Sequence, residues 1–284
     1  MEALTFGRGP LEVVVLADAG ARLHRIRAFG LDLLRAPADW RLHLTDPFYW
    51  GAYVMAPWCN RIDARATRVA SRDVNLESNF PDGTAIHGQV AARPWRVEED
   101  GSFVIRGGGE RWPWRYEVRE RVRVSRSRLR IDLELTNLDD GPMPAGLGIH
   151  PWFHRPELVA IHGGRVFPDN LQSKAAPQPV AGQLDLRSLG AIPDGLDATW
   201  TDLADPVAEL VWEHRVRATM RIEADHAFVV AATPQGLGAI AVEPQTHAPQ
   251  GLRRLVNDEP GAMEMVAPGE KVSLALTLDF EQLG

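Results

Sequence analysis

Cysteine and lysine are almost missing from this chain: Cys59 stands alone, and Lys174 and Lys271 are the only two lysines in 284 residues. A single cysteine excludes an intramolecular disulfide and any zinc site built from several thiolates. Arginine supplies 29 of the 31 basic residues, scattered mostly singly, and 38 acidic residues bring the net charge to −7. A dedicated nucleic-acid binder normally presents a basic face, so this charge balance speaks against that class. No long apolar run is present either. Leu11–Ala17, the longest near the N-terminus, is interrupted by Glu12 and falls far short of the about 20 residues that cross a bilayer. Met1–Pro10, with Glu2 and Arg8, lacks the charged, apolar and small regions of a secretory signal. The expectation is a cytoplasmic protein that engages neither membrane nor nucleic acid.

What is present is ordinary for a globular protein: 45% apolar and 24% charged residues, which excludes disorder, collagen-like repeats and coiled coil. The length suits one large domain or two small ones. With no flexible linker and no internal repeat, residues 1–284 are read as a single domain.

Two-residue alternation dominates. In Tyr116–Val124 the apolar phase is kept by Tyr116, Val118, Val122 and Val124 and broken only by Glu120. Leu129, Ile131, Leu133 and Leu135 alternate with charged residues, and the polar Ser125–Arg128 lies between the two runs. The pair predicts a hairpin of half-buried antiparallel strands. Further strands are predicted at Leu11–Leu16, Arg22–Phe29, Val207–Trp212, Val216–Ile222, Phe228–Ala232, Leu237–Val242 and Val272–Phe280. The 25 glycines and 21 prolines suit many turns, and Gly107–Gly109, between Arg106 and Glu110, is one of them. An all-β sandwich or barrel follows. Trp152–Asp194 carries few strand signals and is read as one long loop excursion, of the kind that often serves function.

Four short segments cluster chemically capable residues: Trp58-Cys59-Asn60-Arg61-Ile62, Ile86-His87-Gly88, Gly148-Ile149-His150-Pro151-Trp152-Phe153 and Val242-Glu243-Pro244-Gln245-Thr246. Glu243 follows a mostly apolar run and is placed at the end of a buried strand, with Pro244 ending the pairing. Partial desolvation there would raise its pKa toward that of a general base; an ordinary strand-terminating glutamate at the rim is the alternative. Trp152 and Phe153 could wall a ligand or simply fill the core. His150 and His154 could share a metal only on a helix, which Pro151 opposes. Cys59, in apolar surroundings, reads as inert packing rather than a nucleophile. One candidate base, two candidate acids (His87 and His150), the fixed cation Arg61 and an aromatic wall suit proton transfer on an uncharged polar ligand such as a sugar.

In this order the segments resemble the aldose 1-epimerase (galactose mutarotase) family. Asn60-Arg61-Ile62 is similar to its N-R-I motif, Ile86-His87-Gly88 followed by Trp95 to L-H-G…W, Gly148–Phe153 to G-x-H-P-[YW]-F, and Glu243-Pro244-Gln245-Thr246 to E-P-x-T. Trp112-Pro113, Asn137 before Met143-Pro144, Asp185-Leu186-Arg187, Leu196-Asp197 and Pro268-Gly269-Glu270 are supporting matches. The resemblance implies a large antiparallel β-sandwich, the galactose mutarotase-like supersandwich, and interconversion of the anomers of a monosaccharide with no metal and no organic cofactor, by a monomer or homodimer. It implies Glu243 as general base and His150 as general acid, with Asn60, Arg61, His87, Asp197 and Trp152 holding the sugar. Ala198 replaces the histidine usual after the Leu-Asp pair. The loops around Trp50, Trp58, Asp185 and His247 are expected to set sugar choice. A phosphorylated or sulfonated sugar would call for several arginines in the cleft, a non-catalytic sugar-binding protein would need neither acid nor base, and a glycosidase would need two facing carboxylates, for which Asp197 is the one partner to Glu243.

Overall fold

The alternating segments pair as their pattern requires. The computed structural model describes residues 3–63, 65, 67–109, 111–169 and 176–284. Twelve of its strands frame the site: β1 (Leu11–Leu16), β2 (Arg22–Ala28), β3 (Ala52–Met55), β4 (Tyr116–Ser125), β5 (Arg128–Asn137), β6 (Gly148–His154), β7 (Leu158–Phe167), β8 (Asp197–Trp212), β9 (Val216–Glu223), β10 (Phe228–Ala232), β11 (Ala239–Gln245) and β12 (Lys271–Gln282). Among the described residues helix is confined to two short pieces, α1 (Leu42–Thr45) and α2 (Gly251–Val256), and to single 3₁₀ turns.

All of these strands pair antiparallel, eleven of them along one path with β7 lying along β8 beside it. β4 pairs β5, β5 pairs β12, β12 pairs β9 and β9 pairs the Ala208–Trp212 end of β8. The Asp197–Trp200 end of β8 then pairs β10, and the sheet continues through β11, β6, β3, β2 and β1. The 16-residue β8 is thus the corner where a single sheet turns. The two arms close on a common core: Leu11, Val13, Leu23 and Ile26 from one arm share a buried cluster with Val118, Val122, Leu129 and Ile131 from the other. Each such side chain contributes about 1.5–3 kcal/mol by leaving water. Glu120, which breaks the apolar phase of β4, follows the register inward between Phe103 and Leu133. It is fully buried, and neither carboxylate oxygen has a hydrogen-bond partner.

Two expectations are corrected here. The stretch Trp152–Asp194 is not one loop, because β6 runs to His154 and β7 is a 10-residue strand on β8. Its alternation was hidden by His162, Gly163 and Gly164, at a register shift between Ile161 and Gly163. Glycine is needed there, since a Cβ on Gly163 would stand 2.8 Å from Cβ of Trp200. Residues 170–175 of that stretch lie outside the described residues. The second correction concerns Glu243, which is not a strand end. β11 continues through Pro244, opposite Val229, to Gln245, opposite Phe228. What Pro244 interrupts is the other seam. Between β6 and β11 the ladder holds at Gly148–Gln245 and resumes at Trp152–Ala241, and in the gap Pro151 and Pro244 have no N–H to donate.

Candidate active site

Strand register assembles the floor of the site. Tyr53 of β3 pairs His150 of β6, and Val230 of β10 pairs Glu243 of β11. The register that sets Gly148 beside Gln245 and Trp152 beside Ala241 places His150 opposite Glu243. Tyr53, His150, Glu243 and Val230 therefore form one row across four strands. Two residues along each strand, and so on the same face, a second row follows: Trp152, Ala241, Ala232 and Asp197. The alanines in the middle of this row leave space above the sheet, between Trp152 and Asp197.

The opposite wall comes from two short segments. Arg61–Asp63 pairs Thr84–Ile86, with Arg61 opposite Ile86. Asn60 and His87, just outside that ladder, both adopt the left-handed conformation, at φ 53° and 57°. Asparagine and histidine are among the non-glycine residues that adopt this region most readily. The His87 N–H donates to the Asn60 carbonyl at 3.2 Å, and the Asn60 side-chain oxygen accepts from the Arg61 N–H at 2.7 Å. Gly88 follows at φ 74°, where a Cβ would collide with the Ala56 carbonyl. The turn thus delivers His87 to the floor, its ring 4.9 Å from that of His150 in an edge-on contact.

These elements enclose a cavity of about 290 Å³. All seven residues singled out in the sequence line it: Asn60, Arg61, His87, His150, Trp152, Asp197 and Glu243. Phe48, Tyr49 and Phe80 join them as an aromatic wall that sequence reasoning missed; Tyr49 stacks on Trp152 at 6.2 Å. The run Phe48-Tyr49-Trp50 before Gly51 was the available signal. Of the loops expected to set sugar choice, those around Trp50 and Trp58 reach the lining through Phe48, Tyr49, Asn60 and Arg61, while Trp50, Trp58, Asp185 and His247 themselves do not line it. The Trp58 indole donates to the Ala85 carbonyl, Asp185 pairs Arg187 outside, and His247 is a buried structural group whose Nε2 accepts from the Cys59 N–H at 2.9 Å. Trp152 and Phe153 divide the two roles weighed for them: Trp152 lines the cavity, and Phe153 packs in the main core. Cys59 is buried, and burial pushes its thiol well above the ordinary range, which is the inert packing expected.

The electrostatics follow from burial. His150 Nε2 lies 3.1 Å from Glu243 Oε1. Desolvation, then the nearby Asp197 carboxylate, push Glu243 well above the carboxylate range. Desolvation likewise lowers His150 to about 3 and holds His87 well below 6.5. Both imidazoles are therefore neutral near pH 7. Arg61 is the cation of the cavity lining, and two carboxylates take its charge: Nε donates to Asp82 at 2.8 Å and Nη1 to Asp197 at 3.2 Å. For Asp82, burial raises the pKa, but hydrogen bonds from Thr84 and Arg61 outweigh it and leave the carboxyl below its ordinary value. Asp82 is a further residue that no motif pointed to.

His87, His150 and Glu243 also form the one group among the described residues whose ligand atoms lie close enough to hold a metal ion, all within 4.8 Å of one another. The surroundings do not suit that use. A metal-bound imidazole normally donates its other N–H to a carboxylate or carbonyl, and Nδ1 of both histidines has no hydrogen-bond partner.

The family model described as Aldose 1-epimerase matches residues 2–279. Among solved structures, the chain is similar to a galactose mutarotase-like protein from Clostridium acetobutylicum, at 16% identity over 99% of this chain and 95% of that one, with a TM-score of 0.84. It is similar to a GalM/aldose epimerase homologue from C. elegans, at 15% identity over 100% and 99% of the two chains, with a TM-score of 0.82. A galactose 1-epimerase from Lactobacillus acidophilus is 16% identical over 100% of this chain and 99% of that one, with a TM-score of 0.78. At these identities the likeness shows the fold, the galactose mutarotase-like sandwich. No relative among curated proteins matches the sequence.

Proposed function

The chain belongs to the aldose 1-epimerase family, a family of isomerases, and from that premise we propose that it interconverts the α and β anomers of an uncharged aldose by acid–base ring opening. The observation that carries this reading is the buried His150–Glu243 pair, 3.1 Å apart, on the floor of a cavity small enough for one monosaccharide. Cavities for small ligands run from about 300 Å³ upward, so there is little room for an oligosaccharide.

Once the proton shared by the pair has passed from Glu243 to His150, Glu243 takes the proton of the C1 hydroxyl while His150 gives its own to the ring oxygen. The C1–O5 electron pair leaves with that oxygen, and C1 becomes an aldehyde. Rotation about C1–C2 turns the other face of the aldehyde toward the C5 hydroxyl. Reclosure returns one proton to His150 and the other from Glu243 to O1. Proton transfer by placed groups contributes roughly 10²- to 10⁴-fold, and no covalent nucleophile is required. Arg61, Asn60, His87 and Asp197 offer hydrogen bonds to the sugar hydroxyls, and Trp152 with Tyr49 offers apolar ring faces.

Charge favours a neutral substrate. Arg61 is already shared by Asp82 and Asp197, and Glu243 adds a further acid to the lining. Three further arginines, Arg65, Arg253 and Arg254, are engaged elsewhere: Arg65 pairs Asp63 in solvent, Arg253 pairs Glu259, and Arg254 is buried against the Pro249 carbonyl. The test is polarimetry or one-dimensional NMR of freshly dissolved α-glucose and α-galactose, and of their 6-phosphates. Equilibration faster than the spontaneous rate for a neutral sugar supports the proposal. Acceleration of the phosphorylated sugars alone, or of none in a wider neutral panel, would contradict it.

A further inference from the structure

Arg22, the first residue of β2, is fully buried, and a guanidinium is almost never buried without a paired carboxylate. Here backbone carbonyls serve instead. Nη1 donates to Pro47 and Trp50, at 2.6 Å each, and Nη2 donates to Ala91 at 2.9 Å. Its carbon lies 4.6 Å from the centre of the Tyr53 ring, and that ring stacks on His150 at 4.7 Å with 21° between the planes. We propose that Arg22 is a positioning residue: it locks the Pro47–Trp50 wall against the cavity and, through Tyr53, fixes the imidazole of His150. The inference rests on the reading of His150 as the acid of the reaction.

The wall has no regular secondary structure, so its carbonyls have no ladder to join and must find other partners. Each of the four is held by a side chain. Arg22 holds Pro47 and Trp50, the Trp152 indole and the Tyr53 hydroxyl hold Phe48 at 2.6 and 3.3 Å, and Arg35 holds Tyr49 at 2.6 Å. Gly51, at φ 65°, closes the chain onto the arginine: a Cβ there would stand 3.2 Å from Arg22 Cγ and 2.4 Å from the Leu23 carbonyl. Phe48 and Tyr49 reach the cavity from this clasp. Ala91, the third acceptor, follows His87 and Gly88 in the same segment. One buried cation thus ties the aromatic wall, the stacking partner of His150 and the segment that carries His87.

Arg22→Met, Arg22→Lys and Arg35→Met test this, with thermal unfolding as the fold control, mutarotation kinetics over a range of sugar concentrations, and ¹H–¹⁵N NMR of the histidine rings. In folded Arg22→Met, kcat is expected to fall about tenfold or more, because misplacement of a reacting group by about 1 Å costs up to about 10²-fold. KM rises with it, the His150 ring signals move, and those of the remote His162 do not. Arg22→Lys is expected to recover part of the rate. Arg35→Met frees the Tyr49 carbonyl and uncovers the Trp50 ring, on which the Arg35 guanidinium lies at 3.6 Å, but leaves the Tyr53–His150 stack in place; it is expected to raise KM while kcat stays within about twofold. Wild-type kcat, KM and ring signals in folded Arg22→Met would overturn the proposal. If that variant does not fold, the same result in Arg22→Lys would overturn it. The ring signals do not depend on turnover. A shifted His150 in a protein with no mutarotase activity supports the positioning role and overturns the function, whereas unmoved signals in an active enzyme overturn the positioning role alone.

Discussion

His150 Nε2 and Glu243 Oε1 stand 3.1 Å apart, on neighbouring strands, in side chains only 4% and 3% exposed. Burial presses both toward their neutral forms, so the resting pair holds one proton, on the carboxyl. That same neutral pair is what remains after Glu243 has accepted the C1 proton and His150 has given up its own. The dry floor therefore matches the ring-opened stage of the reaction, and a proton shift across 3.1 Å regenerates the ionic pair that opens the ring.

The pH profile follows from that pair. Below the depressed value of His150, about 3, a second proton enters and no base remains. Above the raised value of Glu243 the last proton leaves and no acid remains. After subtraction of the spontaneous rate, the acid limb of kcat/KM is expected well below the 6.5 of an ordinary histidine. A limb near 6.5, in protein shown to be folded there, would rule the shared-proton pair out.

Arg61 and Asp82 are expected to govern affinity and charge selection. Arg61→Ala removes two cavity-wall contacts and should raise KM about tenfold or more, with a smaller effect on kcat, as for uniform binding. Asp82→Asn releases part of the arginine's charge and should tighten binding of a hexose 6-phosphate relative to the parent enzyme. Calorimetric titrations with hexose and hexose 6-phosphate check both, and an unchanged ratio of the two affinities in Asp82→Asn would contradict the charge argument.

Glu120 stabilises nothing at neutral pH. Its folded carboxyl is held protonated well above 4.5, so the stability it permits is complete below 4.5 and is lost as pH rises toward the folded value. Glu120→Met is expected to stabilise the protein by about 1–3 kcal/mol near pH 4.5, the cost of an unsatisfied buried polar group, and by more at pH 8, where ionisation of the unfolded carboxyl adds to that cost. Denaturant unfolding at both pH values measures this. Destabilisation at pH 8 would point to an unrecognised role for the carboxyl.

Acid should weaken the fold for the converse reason. Burial lowers His43 and His150 to about 3 and His247 to about 4. His43 Nε2 shares a 2.9 Å hydrogen bond with His24 Nδ1. Each depressed histidine contributes stability that is complete above 6.5 and is lost as pH falls toward the folded value. The raised carboxyls of Glu120 and Glu243 act in the opposite sense, so the histidine contribution is read as a difference: between about pH 7 and 5 the unfolding midpoint of the parent is expected to lose ground to that of His43→Asn. Parallel profiles in the two proteins would mean that the His43 ring does not remain neutral in the fold.

Much of the site was legible because its residues sit in short segments that set polar groups among aromatics, glycine or an apolar run: His150 with Trp152 in Gly148–Phe153, and Glu243 directly after Leu237–Val242. The β4–β5 hairpin was legible too, since alternation and a polar break are local signals. Partnership between strands is not local. Nothing in the sequence sets Tyr53 beside His150 or Val230 beside Glu243, so the two rows that form the floor emerge only with the register. Arg22 was invisible because its partners are backbone carbonyls, which carry no residue signature. Asp82 lacked a motif, and β7 was missed because the glycines that let Trp200 pack also erase the alternation. Glu243 was placed at a strand end because a proline reads as a stop, although Pro244 breaks only one of its two seams.

The most direct test compares the parent protein with Glu243→Gln and His150→Asn by polarimetry of fresh α-aldose, with sugar binding followed in parallel. The expected result is acceleration by the parent and a fall of about 10²- to 10⁴-fold in both variants, with affinity for the sugar largely kept. Near-parental rates in folded Glu243→Gln would contradict the assignment of the base, and with it the proposed mechanism.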